Sequence, residues 1–248
     1  MSGLTSSSGT VRIAVLVPST FLLDREICEI ASQRKAEAHI FRVSPKFLAD
    51  PEDPESVADM VEGMGSLESL SRAASQVTDV MPHVIAWACT SGSFLGDGGS
   101  GQAQAQVMSK HAGGIPATTT SLAMLAAARR LEARKLYVIT PYHAEIGIKF
   151  VDLLESNDFD VLGHSHAGLG SDSEVGKLGV NDFESLARRA PGLSCDAVVI
   201  PCTAVRDQGL TSNLTAKLNC PIITANSATV DHAVALANNA VEGFPKRT

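Results

Sequence analysis

Two cysteines stand at matching places in this chain. Cys89 closes the apolar run Val84-Ile85-Ala86-Trp87-Ala88 and precedes Thr90-Ser91-Gly92-Ser93, and Cys202 closes Ala197-Val198-Val199-Ile200-Pro201 and precedes Thr203-Ala204-Val205-Arg206. Each thiol therefore falls at the carboxyl end of a buried strand, ahead of a hydroxyl residue and a turn into a helix. Free backbone N–H groups at such a turn attract anions and favour a thiolate. A thiolate can add to an electron-poor double bond or take a proton from carbon while a second thiol donates one. Either cysteine alone reads better as a packing residue, because cysteine is often buried. Two of them in equivalent positions point to a shared site. The pair needs neither a metal nor an organic cofactor, and none is expected.

The other three cysteines read as structural. Cys28 falls on the apolar face of an expected helix, and Cys195 and Cys220 precede strands, at the end away from any strand-end site. No CxxC and no tight Cys/His spacing suggests zinc. His164 and His166 alternate at a strand end without a carboxylate at ligand spacing, so a metal site is not expected there. His143 reads as a loop residue at a rim, Arg206 as a helix-start surface residue, and Asn226 with Ser227 as a polar wall or a helix cap. No GxGxxG follows a strand and no GxxxxGK[ST] occurs. The glycine-rich stretch 96–101 contains no lysine and reads as a loop beside Cys89.

The elements that must position the two thiols follow from pattern. Continuous apolar runs predict strands at 11–17, 38–43, 84–89, 116–119, 136–140, 161–164, 197–201 and 222–224. Helices are expected at 25–33, 54–77, 101–112, 121–132, 145–157, 181–190, 209–218 and 229–239. Strand and helix alternate throughout, which predicts an α/β fold with parallel sheets and right-handed crossovers. The order also repeats: Arg12–Thr20 resembles Lys135–His143, His83–Ser93 resembles Asp196–Arg206, and Pro116–Ser121 resembles Pro221–Ser227. Two pseudo-symmetric halves are expected, one from 1–120 plus 221–248 and the other from 121–220. Ligands bind outside the carboxyl ends of parallel strands, so facing halves would bring Cys89 and Cys202 to one cleft.

Composition narrows the partners. With 20 Lys and Arg against 27 Asp and Glu the chain carries a formal charge of −7, which argues against nucleic acid. Eight Phe, two Tyr and one Trp leave little for base stacking. The apolar runs fall far short of the ~20 residues that span a bilayer. The first ten residues, MSGLTSSSGT, do not read as a signal peptide and are expected to be loose. A cytoplasmic homo-oligomer acting on a small carboxylate, with no membrane or nucleic-acid partner, is the expectation.

VLVPST near the start, ACTSGS around Cys89, PATTTS, VITPY ending at Tyr142, IPCT around Cys202 and TANSATVDHA near the end resemble the aspartate/glutamate racemase superfamily. The chain is most similar to its branch of maleate cis-trans isomerases and arylmalonate decarboxylases. The resemblance implies two α/β halves with the site between them, no cofactor, and a substrate with one or two carboxylates. It implies Cys89 as the nucleophile that adds to a double bond and Cys202 as the general acid/base. Thr90, Ser91 and Thr203 would hold carboxylate oxygens, Tyr142 would add a phenolic donor, and Ser19 and Thr20 would be the polar groups of the first strand–helix turn. The isomerases carry an asparagine in that turn, whereas residues 18–24 contain none and include apolar Phe21 and acidic Asp24. A second asparagine, expected after the sixth strand, is absent from 165–173, which holds His166, Ser171 and Asp172. A substrate with one apolar end or a different dicarboxylate fits these residues as well. The same two thiols would serve an amino-acid or hydantoin racemase. An arylmalonate decarboxylase-like lyase, which keeps only the second cysteine, and a non-catalytic carboxylate-binding protein are the alternatives of another class.

Overall fold

The computed structural model describes residues 10–45, 49–50, 52–95, 101–188 and 194–242. The first nine residues and 96–100, most of the glycine-rich stretch, lie outside the described residues. Among the described residues eight strands form two four-stranded parallel sheets. β1 (Val11–Pro18), β2 (Ala36–Val43), β3 (Val84–Trp87) and β4 (Ala117–Thr119) pair in the order β2-β1-β3-β4. β5 (Lys135–Tyr142), β6 (Asp160–Leu169), β7 (Ala197–Ile200) and β8 (Ile222–Thr224) pair in the order β6-β5-β7-β8. The two orders are the same order, so the chain is an α/β fold of two pseudo-symmetric halves.

The helices are α1 (Asp24–Gln33), α2 (Pro54–Gly65), α3 (Leu67–Ala74), α4 (Ser91–Phe94), α5 (Gly101–His111) and α6 (Thr120–Arg130). They continue with α7 (Ala144–Glu155), α8 (Asp172–Val175), α9 (Val180–Leu186), α10 (Leu210–Leu218) and α11 (Ala225–Glu242). Among the described residues no helix is long and apolar enough to cross a membrane.

Strand side chains alternate between faces, and here both faces are covered. Ala14, Leu16, Ile85 and Trp87 enter one core of the first sheet, and Ile13, Val15, Val84 and Ala86 enter the other. Leu136 and Val138 face one core of the second sheet, and Tyr137 and Ile139 face the other. That is why these strands read as unbroken apolar runs rather than as alternating ones.

Two expectations are corrected. The single helix expected over 54–77 is two helices, because Ser66 leaves the helix (φ −60°, ψ 147°) and accepts a hydrogen bond from the Ser69 amide, capping α3. The segment 221–248, expected with the first half, divides at its strand. Ile222–Thr224 pair with β7 and so belong to the second sheet. α11 then crosses over: Val230, Ala233 and Ala237 pack in the core of the first sheet, with Ile13 and Ile27. α6 makes the opposite crossing, leaving β4 to bury Ala123, Met124 and Ala127 against Leu136, Val138 and Phe150 of the second half. The two crossing helices touch at their starts, where the Thr120 and Thr229 hydroxyls lie 2.9 Å apart.

Candidate active site

Each cysteine turn begins where a strand runs out of partners. The ladder of β3 ends at Trp87, the Ala88 amide makes a last bond to the Leu16 carbonyl at 2.8 Å, and Cys89 follows. β7 ends at Ile200, and Pro201, which has no N–H, stops the ladder before Cys202. In the first turn the Gly92 amide donates to Cys89 Sγ at 3.4 Å. In the second the Val205 amide closes back on the Cys202 carbonyl at 3.2 Å.

Both turns are held from behind by buried polar groups. Ser121, at the start of α6, donates its hydroxyl to the Ser93 carbonyl at 2.9 Å and its amide to Ser93 Oγ at 3.0 Å. Gln104 Nε2 donates to the carbonyls of Gly65 and Gly92 at 2.8 and 2.7 Å. α2 can approach this closely only because residue 65 is glycine, since a Cβ there would lie 2.0 Å from the Gly92 carbonyl oxygen. Behind the second turn, Asn226 Nδ2 donates to the carbonyls of Thr203 and Val205 at 3.1 and 3.2 Å. The Asp207 amide donates to Glu26 Oε1 at 2.7 Å, and Asp207 Oδ2 accepts from Thr224 Oγ1 at 2.6 Å. Ser121 and Asn226 thus do equivalent work at the starts of the two crossing helices. Asn226 is neither a cleft wall nor a cap, because α11 begins at Ala225, four residues before the expected start, and takes it inside the helix.

Cys89 and Cys202 line one cavity of about 420 Å³ between the halves. Thr20, Thr90, Ser91, Tyr142 and Thr203 line it with them. The Thr90 hydroxyl is buried on the cavity wall beside the Tyr142 hydroxyl. Tyr142 Oη donates to the Pro201 carbonyl at 2.5 Å. Ser19 is corrected: its amide bonds the Val43 carbonyl at 2.9 Å, its side chain is exposed, and it does not line the cavity. Phe21 is buried in the core under α1 and Asp24 pairs with Arg42, so neither meets a substrate.

Two further features escaped the sequence. Asp172, at the start of α8, lines the cavity, and its Oδ2 accepts from Thr20 Oγ1 at 2.8 Å across the halves. One face of α2, made by Val57, Met60, Val61 and Met64, forms an apolar wall. Their i, i+3, i+4, i+7 spacing was the available signal for that wall.

The expected thiolates are also corrected. Burial pushes the Cys89 thiol up to about 12; the Gly92 amide opposes this and Asp172 adds to it. Burial pushes Cys202 up to about 12 as well, and Asp172 raises it further against the opposing effect of the neighbouring Tyr142 hydroxyl and the Ala204 amide. Each turn supplies a donor, but desolvation of a charge outweighs one donor in an apolar cavity. Both thiols carry their protons before a ligand enters. Burial likewise raises Tyr142 well above the ordinary phenol range.

The remaining candidates lie elsewhere. His164 Nδ1 and His166 Nε2 are 2.8 Å apart and His166 Nδ1 is 2.8 Å from Thr140 Oγ1, and no group of three or more His, Cys, Asp or Glu able to hold a metal ion occurs among the described residues. His143, Arg206 and Ser227 do not line the cavity. Cys195 and Cys220 face each other with sulfurs 3.8 Å apart, and Cys28 is exposed on α1 rather than on its apolar face.

Two pseudo-symmetric parallel-sheet halves with a cysteine from each in the cleft define a class of α/β protein. The chain belongs to the arylmalonate decarboxylase family, which it matches over residues 59–244. It is 25% identical over 199 residues to the maleate isomerase of Nocardia farcinica (strain IFM 10152), covering 78% of this chain and 76% of that one. The fold is similar to that of a Nocardia farcinica maleate cis-trans isomerase mutant carrying a covalently bound succinylcysteine intermediate, with a TM-score of 0.78, 20% identity, and 92% and 93% of the two chains covered. It is similar to a doubly substituted arylmalonate decarboxylase in its liganded form, with a TM-score of 0.77, 19% identity and 96% of each chain covered. The maleate isomerase of Pseudomonas putida S16 gives a TM-score of 0.75 at 19% identity, with 92% and 93% covered.

Proposed function

We propose that this protein is a two-cysteine isomerase that interconverts the cis and trans forms of a small carboxylate-bearing alkene, in the manner of a maleate cis-trans isomerase. The observation that carries the reading is the presence of both strand-end thiols, one from each half, on a single cavity with the Tyr142 hydroxyl. The solved relative holding a succinylcysteine supports an adduct at such a thiol.

In this reading Cys89 sulfur bonds to one alkene carbon as the π electrons move to the other carbon, which takes a proton from Cys202. The proton lost by Cys89 replaces the one given up by Cys202, so the net change is addition of S–H across the double bond. The former double bond is then single and rotates. Cys202 passes its proton to the departing Cys89 sulfur as it takes back the one on carbon, the double bond re-forms, the C–S bond breaks, and both thiols end protonated as they began. The thiols start protonated, so the Cys89 proton leaves only as the sulfur attacks, with the Gly92 amide positioned to stabilise the developing charge. Thr90, Ser91 and Thr203 supply hydroxyl donors to carboxylate oxygens.

Incubation with maleate tests this. Fumarate should form, and intact-peptide mass spectrometry should find the mass of the acid added to Cys89. Racemisation is the second reading, favoured by the equivalent burial of the two sulfurs, which suits acid and base on opposite faces of one carbon. Deuterium exchange from D₂O into the α-position of a saturated acid, with no adduct and no fumarate, would select it.

A further inference from the structure

The chemistry of the cavity wall is uneven. Among the described residues that line it there is no Lys, Arg or His, and Asp172 is its one charged side chain. Thr20 Oγ1 fixes Asp172 Oδ2 at 2.8 Å, so the carboxyl is held in place by a hydroxyl from the other half. Much of the remaining wall is apolar: Val57, Met60, Val61 and Met64 from α2, with Leu22 and Ile146. Burial raises the Asp172 carboxyl above its usual range, with only the Thr20 hydrogen bond opposing it, and Asp172 in turn raises both thiols. Two carboxylates facing each other across a cavity whose described lining holds no cation cannot both stay ionised at low cost, and one of them takes a proton.

We propose that Asp172 sets the substrate class of this site: the cavity takes a small acid with one ionised carboxylate and an uncharged, largely apolar far end, and a second carboxylate enters only when it and Asp172 share a proton. This deepens the functional reading above and rests on its assignment of the cavity as the substrate site. The first carboxylate is met by the hydroxyls of Thr90, Ser91 and Thr203, and the far end lies along α2. The other titratable groups on the cavity, Cys89, Cys202 and Tyr142, are all raised by burial and keep their protons at neutral pH. On Asp172's own turn, Glu174 accepts the Ser171 hydroxyl at 2.8 Å.

Succinate and monomethyl succinate share a skeleton and differ in the second charge, and neither can react as an alkene. Their binding to the wild-type chain and to Asp172→Asn, followed by calorimetry from pH 6.5 to 8.5, isolates the proposal. The expected result is a wild-type preference for monomethyl succinate that widens by up to about tenfold per pH unit, the signature of one proton taken up with succinate. Asparagine keeps the shape and can still accept from Thr20, so Asp172→Asn should show an unchanged melting temperature and a preference that is flat with pH. A wild-type preference that does not change with pH, tighter binding of succinate throughout, or a slope that survives in Asp172→Asn overturns the role of Asp172. Failure of both acids to bind overturns the small-acid assignment on which it rests. Failure of both maleate and monomethyl maleate to label Cys89 at pH 6.5 removes the proposed reaction and leaves these binding curves standing.

Discussion

The Tyr142 hydroxyl donates to the Pro201 carbonyl at 2.5 Å, tying the end of β5 to the residue just before Cys202. The bond crosses between neighbouring strands of the second half at the point where β7 has lost its ladder. It places one polar side chain where it both fixes the Cys202 turn and faces the cavity. Tyr142→Phe should lower stability by about 1 kcal/mol through the orphaned carbonyl. Turnover should fall about tenfold as Cys202 loses its fixed position, with urea unfolding and initial rates as the two readouts. A variant as active and as stable as the wild type would remove Tyr142 from the site.

The cysteines should separate cleanly into two groups. Cys89→Ala and Cys202→Ala should each lower kcat by about a hundredfold or more while circular dichroism stays native. Cys28→Ala, Cys195→Ala and Cys220→Ala should turn over at the wild-type rate, at a cost of about 1 kcal/mol or less where the thiol is buried. Full activity in Cys89→Ala would instead indicate chemistry that needs one thiol.

The raised thiols set a pH dependence of stability. Cys89 and Cys202 are pushed up to about 12 in the folded chain, while an unfolded cysteine titrates near its ordinary value of 9.0. Below that value both states are protonated and the thiols contribute no pH dependence. Above it the unfolded chain releases protons that the folded chain holds, so stability falls as pH rises from about 9 toward 12, by up to ~1.4 kcal/mol per pH unit per thiol. Urea midpoints at pH 8 and pH 10 should show the loss, and Cys89→Ala should reduce it. Alkylation by iodoacetamide should be slow for both thiols at pH 7 in the free protein.

Asn226 offers a test of support from behind the site. Its amide is buried and satisfies the carbonyls of Thr203 and Val205, so Asn226→Ala leaves two acceptors without a donor. A loss of about 2 kcal/mol is expected, together with a fall in kcat that exceeds any change in KM. Ser121→Ala should do the same, more weakly, at the Cys89 turn, where it removes one hydroxyl donor. Variants that unfold earlier but retain full kcat would make these residues purely structural.

Much of this arrangement can be read from the chain because the inner strands β1, β3, β5 and β7, buried on both faces, leave nearly unbroken apolar runs, whereas the edge strands β2 and β6 are interrupted by polar residues. Cysteine positions at strand ends then follow from the runs themselves. What stayed hidden depends on contacts between distant segments. Ser19 and Thr20 are both polar residues of one turn, and only the Ser19 amide bond to Val43 turns one out while the other reaches Asp172. Asp172 itself sits among Gly, Ser and Glu, a composition that reads as surface. Donors at the cysteine turns were visible locally, whereas the apolar wall that outweighs them comes largely from α2, far away in sequence. The sheet joined by β8 was hidden because its partner strand and the helix it feeds lie in different halves.

The crossing of α6 and α11 reaches beyond the site. α6 follows β4 and α11 follows β8 with no intervening loop, and each helix buries its small-residue face in the opposite half. Neither half owns a complete hydrophobic interior, so a fragment cut after β4 would expose what α11 normally covers. The two crossing helices interlock the halves, so the two should melt in a single calorimetric transition rather than in two.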